Sequence, residues 1–330
     1  MRLLVLGGAG YIGSHFVKKA IEVGHQVVVI DNLINGHIEA VDSSAIFVKG
    51  DILDKNLLES VMKKHEIDAC VHFAAFSLVG ESMSVPNKYF YNNVTGTLSL
   101  LEAMEKCGVR KIVFSSSAAV YGSHKEMPIT EEYQHIPTNP YGETKLQMEK
   151  MMHWADKAYG MKYVSLRYFN VAGASLDGSI GEDHNPETHL IPIVLQVPLN
   201  KRPFITIFGN DYDTIDGTCI RDYIHIDDLV DAHLRALQYL VTKNVSNIFN
   251  LGTEKGYSNL EIVEVARKLT KHPIPIKIGE RRPGDPDKLV ASFKKAYTIL
   301  GWKPTKGIEE IISSAWGFHK THPEGFGGKK

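Results

Sequence analysis

A tyrosine and a lysine stand at positions i and i+4 in the segment NPYGETK, where Tyr141 and Lys145 follow a polar loop and begin a helical pattern. On a helix this spacing places two side chains on one face, about 5–6 Å apart between Cβ atoms. A lysine charge near a phenol favours the phenolate, so the pair could act as a general base. The spacing is common by chance, and the alternative is a solvated surface pair.

A glycine-rich turn near the N-terminus predicts a dinucleotide site. The stretch GGAGYIG contains G-x-G-x-x-G at Gly8, Gly10 and Gly13, between a strand pattern and a helical pattern. Glycines let the backbone approach a pyrophosphate, and a helix N-terminus offers free N–H groups and partial positive charge. Asp31 ends the second predicted strand, where its carboxylate can accept hydrogen bonds from the adenine ribose and would repel a 2′-phosphate. The pattern favours NAD over NADP, against the alternative of a packing turn without a ligand.

If the chain binds a nicotinamide cofactor, the tyrosine–lysine pair could supply the base that hydride transfer requires. Hydride transfer from a carbinol requires a base whose pKa lies near the working pH, whereas free tyrosine titrates at about 10. Lowering that pKa by about three units takes roughly 4 kcal/mol. A lysine charge about 4 Å away supplies this only where the effective dielectric is near 20. We therefore expect the pair in a cleft, beside the serines at Ser115–Ser117 that end the preceding strand.

The elements that must position these groups are alternating strand and helix patterns in the first half of the chain. Amphipathic segments separate most of the short runs rich in β-branched residues, which are RLLVLGG, QVVVID, AIFVKGD, DACVHFAA, KIVFSSS and YVSLRYFNV. This alternation predicts an α/β fold with a Rossmann-like, doubly wound parallel sheet.

The second half of the chain predicts a smaller C-terminal α/β substrate lobe, because the regularity fades after about residue 171. We expect an NAD-binding domain over residues 1–170 and a substrate-binding domain over 171–330, with part of 218–252 returning to the first sheet. Ser258 and Glu261 have the spacing of a capping box and predict a helix start there.

Composition narrows the class of protein. Lys and Arg total 37 against 38 Asp and Glu, which leaves no net field to attract nucleic acid or an acidic membrane. The N-terminus reaches a glycine too soon for a signal peptide, and no apolar run approaches transmembrane length, so we expect a cytoplasmic protein. The cysteines Cys70, Cys107 and Cys219 form no C-x-x-C and are expected to be reduced thiols.

The histidines do not suggest a metal site. Four of them, His184, His189, His225 and His233, are close in sequence but lack a ligand register such as H-E-x-x-H. We expect scattered surface or hydrogen-bonding histidines and no metal.

Many further motifs carry a family resemblance that covers essentially the whole chain. They are DNL, GDI, HFAA, VGES, NNVTGT, SSSAAVYG, RYFNVAGA, IFGNDYDTIDGT, RDYIH and RRPGD. With the glycine turn and Tyr-x-x-x-Lys, they resemble the extended short-chain dehydrogenase/reductase family, most closely its UDP-sugar 4-epimerases of galactose metabolism. The resemblance implies an isomerase that moves hydride from sugar C4 to tightly held NAD, lets the 4-keto sugar turn, and returns the hydride to the other face. UDP-galactose and UDP-glucose would interconvert, and a homodimer with two helices per subunit at its interface is expected.

The resemblance also assigns residues to roles. The implied catalytic residues are Ser117, Tyr141 and Lys145. The implied cofactor-binding residues are Gly7, Gly10, Tyr11, Ile12, Gly13, Asp31, Asn32, Asp51, Ile52, Phe73, Ala74, Asn92, Ser115, Tyr141, Lys145 and Tyr168. The implied substrate-binding residues are Ser117, Asn170, Leu190, Phe208, Arg221, Tyr223, Arg282, Asp285 and Leu289.

Departures from related patterns separate the alternatives. Related dehydratases and decarboxylases carry acidic residues just after the catalytic serine or threonine, where this chain has Ala118 and Ala119, which favours epimerisation. Some members have a cofactor-contacting lysine where this chain has Ser77, so we expect looser NAD retention. Leu289 replaces a tyrosine typical of members confined to UDP-glucose and UDP-galactose, which predicts additional activity on the N-acetylated UDP-sugars. A non-catalytic NAD sensor and a simple NAD-dependent oxidoreductase remain as alternatives.

Overall fold

The computed structural model describes residues 1–282 and 285–328, so Pro283 and Gly284 of the RRPGD motif lie outside the described residues. The strands are β1 Arg2–Leu6, β2 Gln26–Asp31, β3 Ile46–Lys49, β4 Ala69–His72, β5 Lys111–Ser115, β6 Lys162–Tyr168, β7 Asn170–Ala172, β8 Ile205–Phe208, β9 Ile220–His225, β10 Asn247–Leu251, β11 Gly256–Ser258, β12 Ile276–Gly279 and β13 Lys288–Leu289. The α-helices are α1 Tyr11–Glu22, α2 Lys55–Lys64, α3 Val79–Ser84, α4 Pro86–Tyr89, α5 Gly96–Cys107, α6 Pro140–Tyr159, α7 Leu190–Leu195, α8 Ile226–Lys243, α9 Asn259–Thr270, α10 Lys294–Leu300 and α11 Ile308–Thr321.

The larger sheet contains seven parallel strands in the order β10-β6-β5-β4-β1-β2-β3. Side chains alternate along β1, so Leu3 and Val5 pack with Phe16 of α1 on one face. Leu4 and Leu6 face the opposite layer of α2, α5 and α6. Both faces are therefore covered by helices, and the predicted doubly wound α/β fold is confirmed.

The smaller lobe has a four-stranded sheet, in which β9 pairs with β7, β11 and β13, and a separate two-stranded sheet of β8 and β12. Ile207 of β8, Val263 of α9 and Ile312 of α11 belong to its separate apolar core. β10 leaves this lobe and pairs with β6 at the edge of the larger sheet. The predicted start of α9 is confirmed, because Ser258 and Glu261 form a reciprocal capping box.

The helix that carries Tyr141 and Lys145 has clear boundary signals. The side chain of Asn139 accepts a hydrogen bond from the Gly142 N–H at 2.8 Å, and Pro140 fills the first helical position. Gly160 ends α6 in the left-handed conformation at φ 68°. These caps fix where the helix begins and hence the direction in which Tyr141 enters the site.

A π-helical turn over Phe90–Thr95 precedes α5. The Asn93 amide donates hydrogen bonds to the Phe76 carbonyl and to Thr144 Oγ1, both at 3.1 Å, and so ties this turn to α6. Among the described residues, every helix is too short or too polar to cross a membrane.

Candidate active site

The glycine turn between β1 and α1 is shaped to take a pyrophosphate. A Cβ on Gly7, whose φ is +78°, would lie 2.6 Å from the Ala74 nitrogen, and one on Gly13 would lie 2.1 Å from the Gly7 oxygen. A Cβ on Gly10 would meet nothing closer than 3.5 Å, so the turn is open on that side. Gly10 caps α1 without a side-chain hydrogen bond, which leaves the first N–H groups of the helix available to an anion. The residues present fit a dinucleotide cofactor.

Asp31 is held at the end of β2, beside the glycine turn. Its oxygens accept hydrogen bonds from the backbone N–H groups of Ala9 at 2.9 Å and Leu33 at 2.8 Å. A carboxylate has about four lone-pair sites, so acceptor capacity remains for ribose hydroxyls. The Asn32 amide donates to Asp51 Oδ2 at 2.9 Å, which fixes the loop that follows.

An open cleft runs along the carboxyl ends of β1, β2 and β4. The predicted cofactor-binding residues that line it are Gly7, Gly10, Asp31, Asn32, Ile52, Phe73, Ala74 and Asn92. Other predicted members do not line this cleft. Tyr11 donates its hydroxyl to the Gly173 carbonyl at 2.7 Å, and Ile12 packs on the apolar core of the larger sheet. The hydroxyls of Ser115 and Tyr168 contact each other in the interior.

Ser117 and Tyr141 meet because two backbone segments approach closely. The Ser117 hydroxyl accepts a hydrogen bond from the Ala119 N–H at 3.1 Å and lies close enough to the Tyr141 hydroxyl to oppose the rise in its pKa. A Cβ on Gly142 would lie 2.4 Å from the Ala119 carbonyl oxygen, so only glycine permits this approach. Gly142 is a positioning residue that sequence reasoning missed, although its place directly after Tyr141 is visible in NPYGETK.

Lys145 lies one helical turn after Tyr141 on α6, and its ammonium is anchored by the end of β5. Its Nζ donates to the Ser115 carbonyl at 2.8 Å and lies 5.8 Å from the centre of the Tyr141 ring. The side chain is buried, and burial lowers the pKa of Lys145 to about 7, against an opposing effect of Glu149. Two of its protons remain available for a ligand in the cleft.

The prediction that the lysine charge lowers the tyrosine pKa is wrong for the chain by itself. Burial raises the pKa of Tyr141 above its ordinary value, and the nearby Ser117 hydroxyl opposes that rise. The physical reason is that desolvation of the buried phenolate is the largest effect on this group, so the phenol stays neutral.

A buried ion pair between Glu149 and Arg167 lies near Lys145 and was not predicted from the sequence. Glu149, one helical turn past Lys145, accepts hydrogen bonds from Arg167 Nε at 2.9 Å and Nη2 at 2.5 Å, and from the Ser116 hydroxyl at 2.5 Å. The two charged side chains are 4% and 1% exposed, and Arg167 also donates to the Tyr121 hydroxyl at 2.8 Å. The Glu149 carboxylate thus lies one turn after Lys145 on α6, and Arg167 compensates the charge of that carboxylate.

Two of the predicted substrate residues are arginines on the smaller lobe. Arg221 donates to the Pro286 carbonyl at 2.8 Å, and its Nη2 lies 3.5 Å from Asp285 Oδ1. The Arg282 guanidinium carbon lies 4.2 Å from the centre of the Phe208 ring. These contacts hold two guanidinium groups whose geometry suits phosphate oxygens.

The remaining predicted substrate residues are placed differently. Asn170 donates its amide to the Asp222 carbonyl at 3.1 Å, and Leu190 is the first residue of α7. Tyr223 lies in the apolar core of the smaller lobe and is only 5% exposed. Leu289 pairs with Arg221 across β13 and β9, and packs on the buried cluster of Val120, Tyr121, Ile129 and Leu146.

The histidines differ from the expectation of a scattered set. His225 is buried just before α8, where it accepts a hydrogen bond from the Asp227 N–H at 3.0 Å, and His233 is buried within α8. His184 and His189 instead face each other with ring centres 5.4 Å apart, between two glutamates. The signal that sequence reasoning missed is a pair of E-x-H repeats in EDHNPETH, in place of a helical ligand register.

Comparison with known proteins places this geometry in context. Residues 3–252 match the sequence profile of the NAD dependent epimerase/dehydratase family. The chain is 58% identical over 328 residues to the UDP-glucose 4-epimerase of Lacticaseibacillus casei, with 99% of each chain covered.

Two solved structures are similar in fold and sequence. The UDP-glucose 4-epimerase of Brucella ovis in complex with NAD is 44% identical with a TM-score of 0.93, over 96% of this chain and 98% of that chain. The enzyme of Bifidobacterium longum in complex with NAD+ and UDP is 39% identical with a TM-score of 0.94, over 99% and 100% of the two chains.

Proposed function

The chain belongs to the NAD dependent epimerase/dehydratase family, and we infer that it is an isomerase that interconverts UDP-galactose and UDP-glucose by inversion at sugar C4. Its cofactor is NAD. The observation in the structure that carries this conclusion is the placement of Tyr141 near Ser117, with Lys145 anchored by the Ser115 carbonyl at the end of β5, in the same sheet as the strand that leads into the glycine turn.

The cofactor would be held along the carboxyl edge of the larger sheet. The turn at Gly7–Gly13 would take its pyrophosphate, and Asp31 would accept hydrogen bonds from the adenine ribose. Ile52 and Phe73 line the same cleft and would pack against it. Bound NAD supplies hydride chemistry at C4 that reverses within one turnover, so no net oxidation or reduction of the sugar results.

The proton work falls to the chain itself. Tyr141 is the residue that would accept the proton of the sugar 4-hydroxyl and return it later, and Ser117 would hydrogen-bond the same oxygen. Lys145 is anchored by the Ser115 carbonyl, so its remaining protons can orient the nicotinamide ribose. Because the chain by itself keeps the Tyr141 phenol neutral, the cationic nicotinamide has to contribute to lowering its pKa.

Two neighbouring residues argue against the rival chemistries. Ala118 and Ala119 follow Ser117 in a short 3₁₀ turn, and Ala118 is buried. Neither residue can donate a proton to a departing hydroxyl or orient a carboxylated sugar. The oxidised sugar is left with reduction as its next step, which is epimerisation.

A direct test is incubation of the purified chain with UDP-galactose, without added cofactor. UDP-glucose at equilibrium supports the proposal, as does bound NAD in the protein as isolated. A 4-keto-6-deoxy sugar would establish dehydration instead, and turnover only with stoichiometric external NAD would establish a simple oxidoreductase.

The two lobes are proposed to divide the ligands, with NAD on residues 1–170 and the UDP-sugar on 171–330. The return of β10 to the larger sheet and the guanidinium groups of Arg221 and Arg282 on the smaller lobe support this division. Arg221→Lys keeps the charge but loses the planar fork, and should raise the KM for UDP-galactose with NAD content unchanged.

The N-acetylated UDP-sugars are proposed as additional substrates. Leu289 packs on Val120 and Leu146, which flank Ser117 and Lys145 in sequence, so its side chain lies near the catalytic residues. A tyrosine there would fill space that an N-acetyl group could use. Leu289→Tyr should suppress turnover of UDP-N-acetylglucosamine and spare UDP-glucose, while Leu289→Met serves as a control of similar volume. Equal loss of both activities in the tyrosine variant would contradict this use of the pocket.

A homodimer is proposed as the assembly. Large apolar side chains are exposed on and beside the central helices, including Tyr91, Leu98 of α5 and Trp154 of α6. Sedimentation equilibrium should give twice the 36.8 kDa of one chain.

We also propose a cytoplasmic location, where thiols such as Cys70 and Cys107 stay reduced.

A further inference from the structure

Four side chains that take no part in the chemistry above converge in the segment before α7. They are Glu182, His184, Glu187 and His189, here called the EHEH cluster, and one donor atom from each lies within 4.8 Å of all the others. His184 Nδ1 lies 3.3 Å from Glu182 Oε1 and 3.7 Å from Glu187 Oε2. His189 Nδ1 lies 3.7 Å from Glu187 Oε1 and contacts Glu182 Oε1 directly.

Three of these separations are close to the edges of a small tetrahedron of ligands, and the direct contact between His189 and Glu182 would have to lengthen on binding an ion. Zinc bonds to imidazole nitrogen and carboxylate oxygen are about 2.0–2.2 Å long, so neighbouring donors of a tetrahedral site lie roughly 3.3–3.6 Å apart. Two imidazoles among four donors favour Zn²⁺ over Mg²⁺ or Ca²⁺, which prefer oxygen ligands. Four protein donors leave no open position, which is typical of a structural site.

The surroundings hold the donors in place and leave a path to them. The Glu182 side chain is 3% exposed, so its charge needs a cationic partner, whereas the His189 side chain is 52% exposed and opens the cluster to solvent. Glu187 Oε1 accepts hydrogen bonds from the N–H groups of Thr188 at 2.7 Å and His189 at 2.8 Å. The His184 ring packs edge-on against Tyr11, with ring centres 6.3 Å apart.

Two states could satisfy Glu182. In one, both imidazoles are protonated and form ion pairs with the glutamates. In the other, a single divalent cation replaces both protons. The four donor atoms lie within 4.8 Å of one another, as ligands of one cation must, whereas two separate ion pairs do not need to be grouped in this way.

We propose that the EHEH cluster binds one Zn²⁺ ion per chain. The ion would fix the segment that leads into α7 at Leu190 against Tyr11, the first residue of α1. It would thereby fix the first turn of α1, which follows the glycine turn, relative to α7 of the smaller lobe. The ion would have a structural role and would take no part in the reaction at C4.

The test uses the full chain without a polyhistidine tag and with its bound NAD. The protein is stripped with a chelating resin, loaded with excess Zn²⁺, dialysed, and analysed for metal by plasma emission. About one Zn²⁺ per chain is expected, and Mg²⁺ or Ca²⁺ in excess should not displace it. Loading with Co²⁺ instead should give the visible absorption of tetrahedral cobalt. A metal-free protein after loading, or only the weak absorption of hydrated Co²⁺, overturns the proposal in favour of the ion pairs.

Matched variants locate the ion. The double variant His184→Asn with His189→Asn should lose stoichiometric Zn²⁺ and the cobalt spectrum, whereas His153→Asn, on the exposed face of α6, should keep both. Equal metal content in the double variant means adventitious binding elsewhere and overturns the assignment. If the double variant does not fold, Glu187→Gln takes its place with the same criterion, since it keeps the side-chain size. Bound NAD, read from absorbance, monitors folding throughout.

Discussion

Replacing Glu149 by glutamine removes the carboxylate that compensates Arg167 inside the protein. Glutamine keeps the size of the side chain but offers one acceptor oxygen where Glu149 now accepts from Arg167 Nε, Arg167 Nη2 and Ser116. One amide N–H would also face the guanidinium donors. Removing one partner of a buried pair leaves an uncompensated charge and costs about 3–5 kcal/mol.

The thermal shift follows from the size of the chain. Unfolding entropy is about 2.1 cal/mol/K per residue, so 330 residues give about 0.7 kcal/mol/K and a fall in Tm of about 4–7 °C for Glu149→Gln. The matched control is Glu22→Gln, which breaks an exposed pair with Lys19 whose side chains are 46% and 52% exposed. A surface pair contributes about 0–1 kcal/mol, so its Tm should fall by less than about 1.5 °C.

Differential scanning calorimetry of both variants measures these shifts, and turnover gives a second reading. Glu149 raises the pKa of Lys145, so Glu149→Gln should lower that pKa further and move the alkaline limb of the turnover profile to lower pH. A Tm shift for Glu149→Gln no larger than that of the control would refute the view that the variant leaves the charge of Arg167 buried without a partner.

Three further changes test individual residues. Tyr141→Phe should lower turnover at least about a hundredfold while NAD content, read from absorbance, stays normal; near-normal turnover would remove Tyr141 from the proton work. Asp31→Asn should weaken the discrimination against NADP in reconstitution of the stripped protein, and unchanged discrimination would contradict its placement at the ribose. The folded-state pKa of Lys145 is about 7, below the 10.5 of the free amine. Burial of the protonated amine therefore lowers the free energy of unfolding most below pH 7, and this loss becomes smaller as the pH rises toward 10.5. Urea unfolding of Lys145→Met should therefore lack about 2 kcal/mol of the stability gain that the native chain shows between pH 7 and 9, and parallel curves would refute the assigned pKa.

Local signals made most of the fold predictable. The strand QVVVID is observed as β2 over Gln26–Asp31, and the capping box at Ser258 is where the spacing predicts it. The glycine turn was equally predictable, because close backbone contacts at Gly7 and Gly13 leave no room for a Cβ, and the spacing of glycines in the sequence reflects this. These features depend on neighbours within one or two turns of chain.

Features built from distant parts of the chain were not predictable in the same way. Glu149 has the sequence context of a surface charge in KLQMEK, and only the approach of β6 shows that Arg167 faces it. The burial of Lys145 and Tyr141 likewise depends on how α6 packs against β5, and the desolvation of the Tyr141 phenolate that follows from it could not be estimated from the i, i+4 spacing. His184 and His189 sit in an irregular segment, where helical spacing rules do not apply.

The central claim is that hydrogen leaves C4 of the sugar and returns to C4 of the same molecule, with Tyr141 handling only the hydroxyl proton. UDP-galactose carrying deuterium at C4 tests it, with the chain, the NAD that it retains and no added cofactor. Mass and NMR analysis should find UDP-glucose with the deuterium still at C4. Unlabelled UDP-glucose with deuterium in the solvent would contradict the account, because it would mean proton abstraction from carbon in place of hydride return.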